Sequence, residues 1–213
     1  MGGREPWNND KRGVRRLALK LRSHHLPRVH IETVENTKRQ LALELIHQAF
    51  DANMDGHLDS VERRSIKLIL YGQSFGGAAV VRLARQLKQM DIPVLLTVQI
   101  DSVGRNDAII PSNVMRAANL FQRNGLIIRG ESFIHAEDPQ KTDILGNFQF
   151  DYRHKHVDIS GVGWLKRRLH TAHTKMDFDP QVWAKVEEII LKEIERRENT
   201  PQPGPSGPAL PYR

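Results

Sequence analysis

Two periodicities alternate along the first half of this chain, and that alternation constrains its fold more than any other feature. In residues 11–22, Val14, Leu17, Ala18 and Leu21 recur at three and four residues, the spacing that gives a helix one apolar face. Pro27 starts a new element, in which Val29, Ile31 and Thr33 alternate with His30 and Glu32 as a short strand. Asn36 or Thr37 then caps a helix carrying Leu41, Leu45, Ile46 and Ala49. Residues 66–71 read as an apolar strand, and residues 78–90 place Val80, Leu83, Ala84 and Leu87 on one helical face. Pro93 opens a further strand, VLLTVQI. The expected order is helix, strand, helix, strand, helix, strand. Such alternation predicts an α/β protein, with a mostly parallel sheet and helices on both faces.

The second half is less regular. Residues 112–122 read as a helix, residues 126–128 and 133–135 as short strands, and residues 148–152 alternate as a strand would. Asp179-Pro180 starts a last helix, because proline at the first helical position is already set in φ; Val182, Val186, Ile189, Ile190 and Ile194 form its buried stripe. One domain over residues 1–198 is expected. Residues 199–213 are too rich in Pro, Gly and Ser to pack and are expected to be disordered.

Composition narrows the function classes. The 213 residues include no cysteine, so disulfides, thiol nucleophiles and Cys-bound zinc are excluded. No apolar run approaches the roughly 18 residues of a membrane span. The basic opening has no apolar segment behind it, so no export signal is expected and the cytoplasm is the default location. The net charge of +7 favours an anionic partner. Aromatics are only 6%, however, and no nucleic-acid motif accompanies the basic clusters at Arg12, Arg15, Arg16, Lys20 and Arg22 or at Lys166, Arg167 and Arg168, so nucleic acid is not the expected partner.

Between the strand ending at Tyr71 and the following helix lies Gly72-Gln73-Ser74-Phe75-Gly76-Gly77, a match to G-x-S-x-G. The context gives the match its meaning. A strand that turns sharply into a helix needs small residues two positions either side of the apex, and the apex side chain is then exposed above the strand ends at a helix N-terminus. Neither a dinucleotide fingerprint nor a P-loop fits, since the third glycine spacing and the Lys-Ser/Thr pair are missing. A purely structural glycine turn fits the same residues.

Through GQSFGG and the elements around it, residues 12–197 resemble the α/β-hydrolase superfamily of serine esterases and lipases. The resemblance implies a Ser, acid, His order along the chain, with Ser74 as nucleophile and an ester or thioester as the small-molecule substrate. Family members place the acid after this next strand or the one following it, which selects Asp101, directly after VLLTVQI; Asp107 is second, and Asp138 and Asp143 are more remote. The family's base lies just before the last helix, which selects His173 over His154, His156 and His170. The resemblance also implies two oxyanion donors, the Phe75 N–H and a glycine N–H from a loop, here Gly3 or its neighbour Gly2. The family's strand ahead of that loop has no counterpart in this chain, and Gln73 and Phe75 replace more usual neighbours of the serine.

A second motif belongs to another class. Asp51, Asn53, Asp55, Gly56 and Glu62 match the 12-residue EF-hand loop, D-x-[DN]-x-[DN]-G-x5-E. Oxygens from positions 1, 3 and 5, the His57 carbonyl, Asp59 and Glu62 are the expected ligands of one calcium ion, and Gly56 permits the sharp turn. The resemblance to an EF-hand covers residues 37–64, with a short exiting arm and no partner loop. Such an ion would stiffen the fold rather than take part in chemistry. Asp and Asn that merely make turns fit the same residues. The alternative function is therefore a calcium-binding protein on a non-catalytic hydrolase scaffold.

Overall fold

A computed structural model of the protein describes residues 2, 5–125, 128–163 and 171–198. The expectations for Gly3, residues 126–127, the 166–168 basic cluster, His170 and the 199–213 tail lie outside these residues. The elements are α1 (Gly13–Ser23), α2 (Arg39–Phe50), α3 (Ser60–Ser65), β1 (Ile69–Gln73), α4 (Phe75–Gln89) and β2 (Val94–Ile100). They are followed by β3 (Ile109–Ile110), β4 (Val114–Phe121), β5 (His135–Ala136), β6 (Asp143–Gln149), α5 (Thr171–Phe178) and α6 (Pro180–Glu198). Four strands form one all-parallel sheet in the order β1-β2-β4-β6, and the two-residue strands β3 and β5 pair with each other. The chain is thus an α/β protein with a mostly parallel sheet flanked by helices, as its alternation predicts.

Side chains on the two faces of the sheet enter two apolar cores, because a strand's period is two. Ile69, Tyr71, Leu96, Val98, Ile100, Ala118 and Leu120 meet α1, α5 and α6 through residues such as Leu17, Met176 and Val186. Leu70, Ala117 and Val114 meet α2 and α4 through Ile46, Val81, Ala84 and Leu87 on the opposite face. Every residue of β2 is buried, as a central parallel strand covered on both faces requires. The links after β2 and β4 contain no helix among the described residues; Ile110 of β3 and Ile134, just ahead of β5, complete that second core instead.

Three local expectations are corrected. Residues 29–33 form no strand: the Ile31 carbonyl accepts the Arg22 guanidinium at 2.8 Å, and the Thr33 hydroxyl lies between the Trp7 carbonyl and Arg15. Arg22 of α1 thus occupies a backbone carbonyl that a ladder would use. Residues 112–122 are not a helix, since β4 occupies most of them. Their alanines favour a helix locally, but pairing with β2 on one side and β6 on the other overrides that preference. The last strand runs over Asp143–Gln149, ahead of the expected 148–152. In addition, Lys38 rather than Asn36 or Thr37 stands at the N-cap of α2, without a side-chain cap.

Leu96, in the middle of β2, is fully buried. Leu96→Ala is expected to destabilise the fold by about 2–5 kcal/mol, because a cavity at a site closed on both faces relaxes little. Chemical denaturation should show this as a lower midpoint with an unchanged slope.

Candidate active site

The turn between β1 and α4 is built by backbone bonds. Ser74 N–H donates to the Ile100 carbonyl at 2.9 Å, one step past the Gln73↔Ile100 pair that ends the ladder. The Ser74 carbonyl accepts the Gly77 N–H at 3.0 Å and the Val103 N–H at 3.2 Å. These bonds hold Ser74 at φ 57 and ψ −128, a conformation that a non-glycine residue adopts only under constraint. Gly72 makes the turn possible: a Cβ there would fall 2.4 Å from the Gly76 carbonyl oxygen. Ser74 is the N-cap of α4, yet its hydroxyl caps nothing and points elsewhere.

It points to a histidine. Ser74 Oγ lies 3.1 Å from His173 Nε2, and His173 Nδ1 lies 2.6 Å from Asp101 Oδ2. The three residues are 99 and 72 positions apart along the chain in these two contacts. Asp101 follows β2 as Ser74 follows β1, so parallel pairing delivers both to the carboxyl edge of the sheet. Asp101 is fully buried, also has positive φ, and is supplied with donors: the Gln122 backbone N–H at 3.3 Å and the Gln122 Nε2 at 3.0 Å. A buried carboxylate needs such partners to remain charged. The hydrogen-bonded chain can pass the serine proton to the imidazole, and the carboxylate can orient the ring and stabilise its cationic form.

His173 sits within α5 rather than in a loop, and α5 is tied to α1. Asp177, one turn further along α5, accepts Arg12 Nη1 at 2.6 Å and the Gly13 N–H at 2.9 Å, and its carbonyl accepts Arg16 Nη2 at 3.0 Å. At the start of α6, Asp179 is fully buried and accepts the Tyr152 hydroxyl at 2.8 Å and Lys155 Nζ at 2.5 Å. Burial first, and then the Asp179 carboxylate, push the Tyr152 phenol up, so it remains a donor in this contact.

Among the oxyanion candidates, the Phe75 N–H belongs to the first turn of α4, whose amides have no partner within the helix. Gly2 is buried against the turn, where a Cβ would fall 3.0 Å from the Gln73 oxygen and 3.2 Å from Ser74 Cβ. The other acids and bases are placed elsewhere. Asp107 accepts the Ser102 hydroxyl at 2.5 Å, Asp138 caps a turn at Gln140, Asp143 begins β6, and His154 and His156 are exposed. Gln122, Asp177 and Arg12 were missing from the sequence-based list. Gln122 had a signal: once residues 114–121 are read as a strand, it follows that strand's end directly beside Asp101.

The 51–62 loop folds on its own backbone. Asp51 accepts the Asp55 and Gly56 amides at 3.2 and 2.9 Å, Asn53 accepts the Asp55 amide at 3.0 Å, and Asp55 accepts the His57 amide at 2.8 Å. Asp59 and Glu62 form a capping box for α3, and Glu62 also accepts the Ala52 amide at 2.8 Å. Gly56 has φ 82, as the motif requires, while Leu58 packs into the core beside Ile46 and Ile66. No group of three or more His, Asp or Glu side chains is placed to hold a metal among the described residues. The described helices also include none long and apolar enough to cross a membrane.

Comparison of the chain with family models, curated proteins and solved structures found no match. Its chemistry therefore rests on the geometry above. Gly72→Ala is expected to destabilise the protein by about 1–3 kcal/mol, because the added Cβ overlaps backbone atoms of α4 that cannot swing away. Thermal unfolding of the variant measures this.

Proposed function

We propose that this protein is a serine hydrolase of the α/β-hydrolase type, which cleaves a carboxylic ester or thioester through an acyl-enzyme. The observation that supports this reading is the continuous hydrogen-bonded chain Ser74–His173–Asp101 at a strained strand-to-helix turn. The parallel sheet with helices on both faces, and the Ser, Asp, His order in the chain, agree with it.

In this reading, Ser74 Oγ attacks the substrate carbonyl carbon while its proton passes to His173 Nε2. The oxyanion that forms lies at the start of α4, where the Phe75 N–H and the positive end of the helix dipole stabilise it. Asp101 stabilises the imidazolium. Collapse of the tetrahedral intermediate breaks the bond to the alcohol or thiol, which takes the proton from Nε2 as it departs. Water then attacks the acyl-serine, giving its proton to the same nitrogen; the acid leaves and Ser74 recovers its proton. No metal takes part in these steps. Calcium binding at the 51–62 loop is a separate proposal, supported by the ligand spacing and by the positive φ of Gly56.

Hydrolysis of a short p-nitrophenyl ester by the protein and by Ser74→Ala tests the reading, in calcium and in chelator. A loss of roughly 10⁴-fold or more is expected in the variant, since the members of such a triad act as a unit. A fluorophosphonate should label the wild type and leave Ser74→Ala unlabelled. Equal rates in the two proteins, with no labelling, would sink the proposal; calcium-dependent stabilisation in that case would favour the non-catalytic alternative.

A further inference from the structure

We infer that the ester taken by this site bears a negative charge on one of its arms, held by Arg123 and Arg129. This rests on the hydrolase reading and specifies its substrate class. A groove of about 390 Å³, a size suited to a small molecule, is lined by Phe75, Val103 and Ile128 together with Arg123 and Arg129. Its lining includes Phe75, the residue after Ser74, and Val103, whose N–H bonds to the Ser74 carbonyl at 3.2 Å, while Ser74 and His173 themselves do not line it. It adjoins the acid as well: Gly130, also in its lining, lies so close that a Cβ there would fall 2.8 Å from Asp101 Cα. An acyl or alcohol arm extending from a carbonyl at Ser74 therefore has this groove as its neighbouring space.

The groove's two guanidiniums keep free donors. Arg123 Nη1 is held by the Gly130 carbonyl at 3.4 Å, and Arg129 Nε by the Gly125 carbonyl at 2.8 Å. Both side chains are exposed, and neither forms an ion pair among the described residues. Each guanidinium has five N–H groups, so most of them remain available. Two acids, Asp107 and Glu131, also line the groove, and each has one oxygen engaged by the chain's own donors. Asp107 is buried and accepts the Ser102 hydroxyl at 2.5 Å, while Glu131 Oε1 accepts the Ser132 and Phe133 amides at 2.9 and 3.2 Å. Two guanidiniums each held by a backbone carbonyl suit a carboxylate or a phosphate, which a planar fork grips with two bonds. Phe75, Val103 and Ile128 suit the carbon chain between that anion and the reacting carbonyl.

The test compares mono-4-nitrophenyl glutarate, which has a free carboxylate, with its neutral methyl ester. In the wild type, kcat/KM is expected to favour the anion by about tenfold, with the ratio falling toward one as salt rises, because exposed arginines are screened. The same ratio is expected to collapse in Arg123→Gln/Arg129→Gln at fixed salt. A second pair with a phosphate in place of the carboxylate separates the two anions, the larger preference naming the group. Ser74-dependent hydrolysis without preference for either anion, or a preference unmoved in the double variant, overturns the inference and leaves the hydrolase reading standing. Should the variant fail to fold, the salt dependence of the wild-type ratio decides alone. Absence of Ser74-dependent hydrolysis of any of these esters overturns the hydrolase reading itself, and this inference with it.

Discussion

The bond from the Ser74 amide to the Ile100 carbonyl, one step past the β1–β2 ladder, is the constraint from which the candidate site hangs. In a parallel pair both strands end at the same edge, so the residues that follow them emerge side by side. Ser74 and Asp101 are those residues, and each takes a positive φ as the chain leaves its strand. A one-residue slip of either strand would send its own side chain to the other face. Every residue of β2 is buried, so the sheet core that stabilises the fold also carries the candidate site.

The third residue arrives by a different route. His173 belongs to a short helix with little amphipathic character of its own, and a helix of that length is not stable in isolation. Asp177 secures it by accepting the Arg12 guanidinium and the Gly13 amide, which joins α5 to the first turn of α1. The Asp179 cluster with Tyr152 and Lys155 fixes the junction into α6. Polar contacts between the ends of the chain thus set the position of the imidazole. The apolar face of the sheet supplies the surface on which these helices rest.

Some of this organisation was legible in the sequence for local reasons. The strand–turn–helix around Ser74 depends on residues within one turn of it, and the periodic stripes of α1, α4 and α6 depend on spacing alone. The reading of residues 112–122 as a helix shows the limit: alanines there favour a helix, and only pairing between β2 and β6 makes them a strand. The same misreading hid Gln122, whose role follows from standing at a strand end beside Asp101. Residues 29–33 differ in the opposite direction, because a period of two is satisfied equally by an extended segment in which the Ile31 carbonyl bonds the Arg22 side chain.

The sequence by itself determined an α/β protein, a sharp glycine-flanked turn at Ser74 and a short list of acids and histidines, since each of these follows from propensity and spacing among near neighbours. Only the tertiary structure decided that Asp101 rather than Asp107 faces His173, and that Gln122 and Asp177 support them. The reason is physical: contacts between residues 72 and 99 positions apart depend on strand register and helix packing, which no local stretch of sequence encodes.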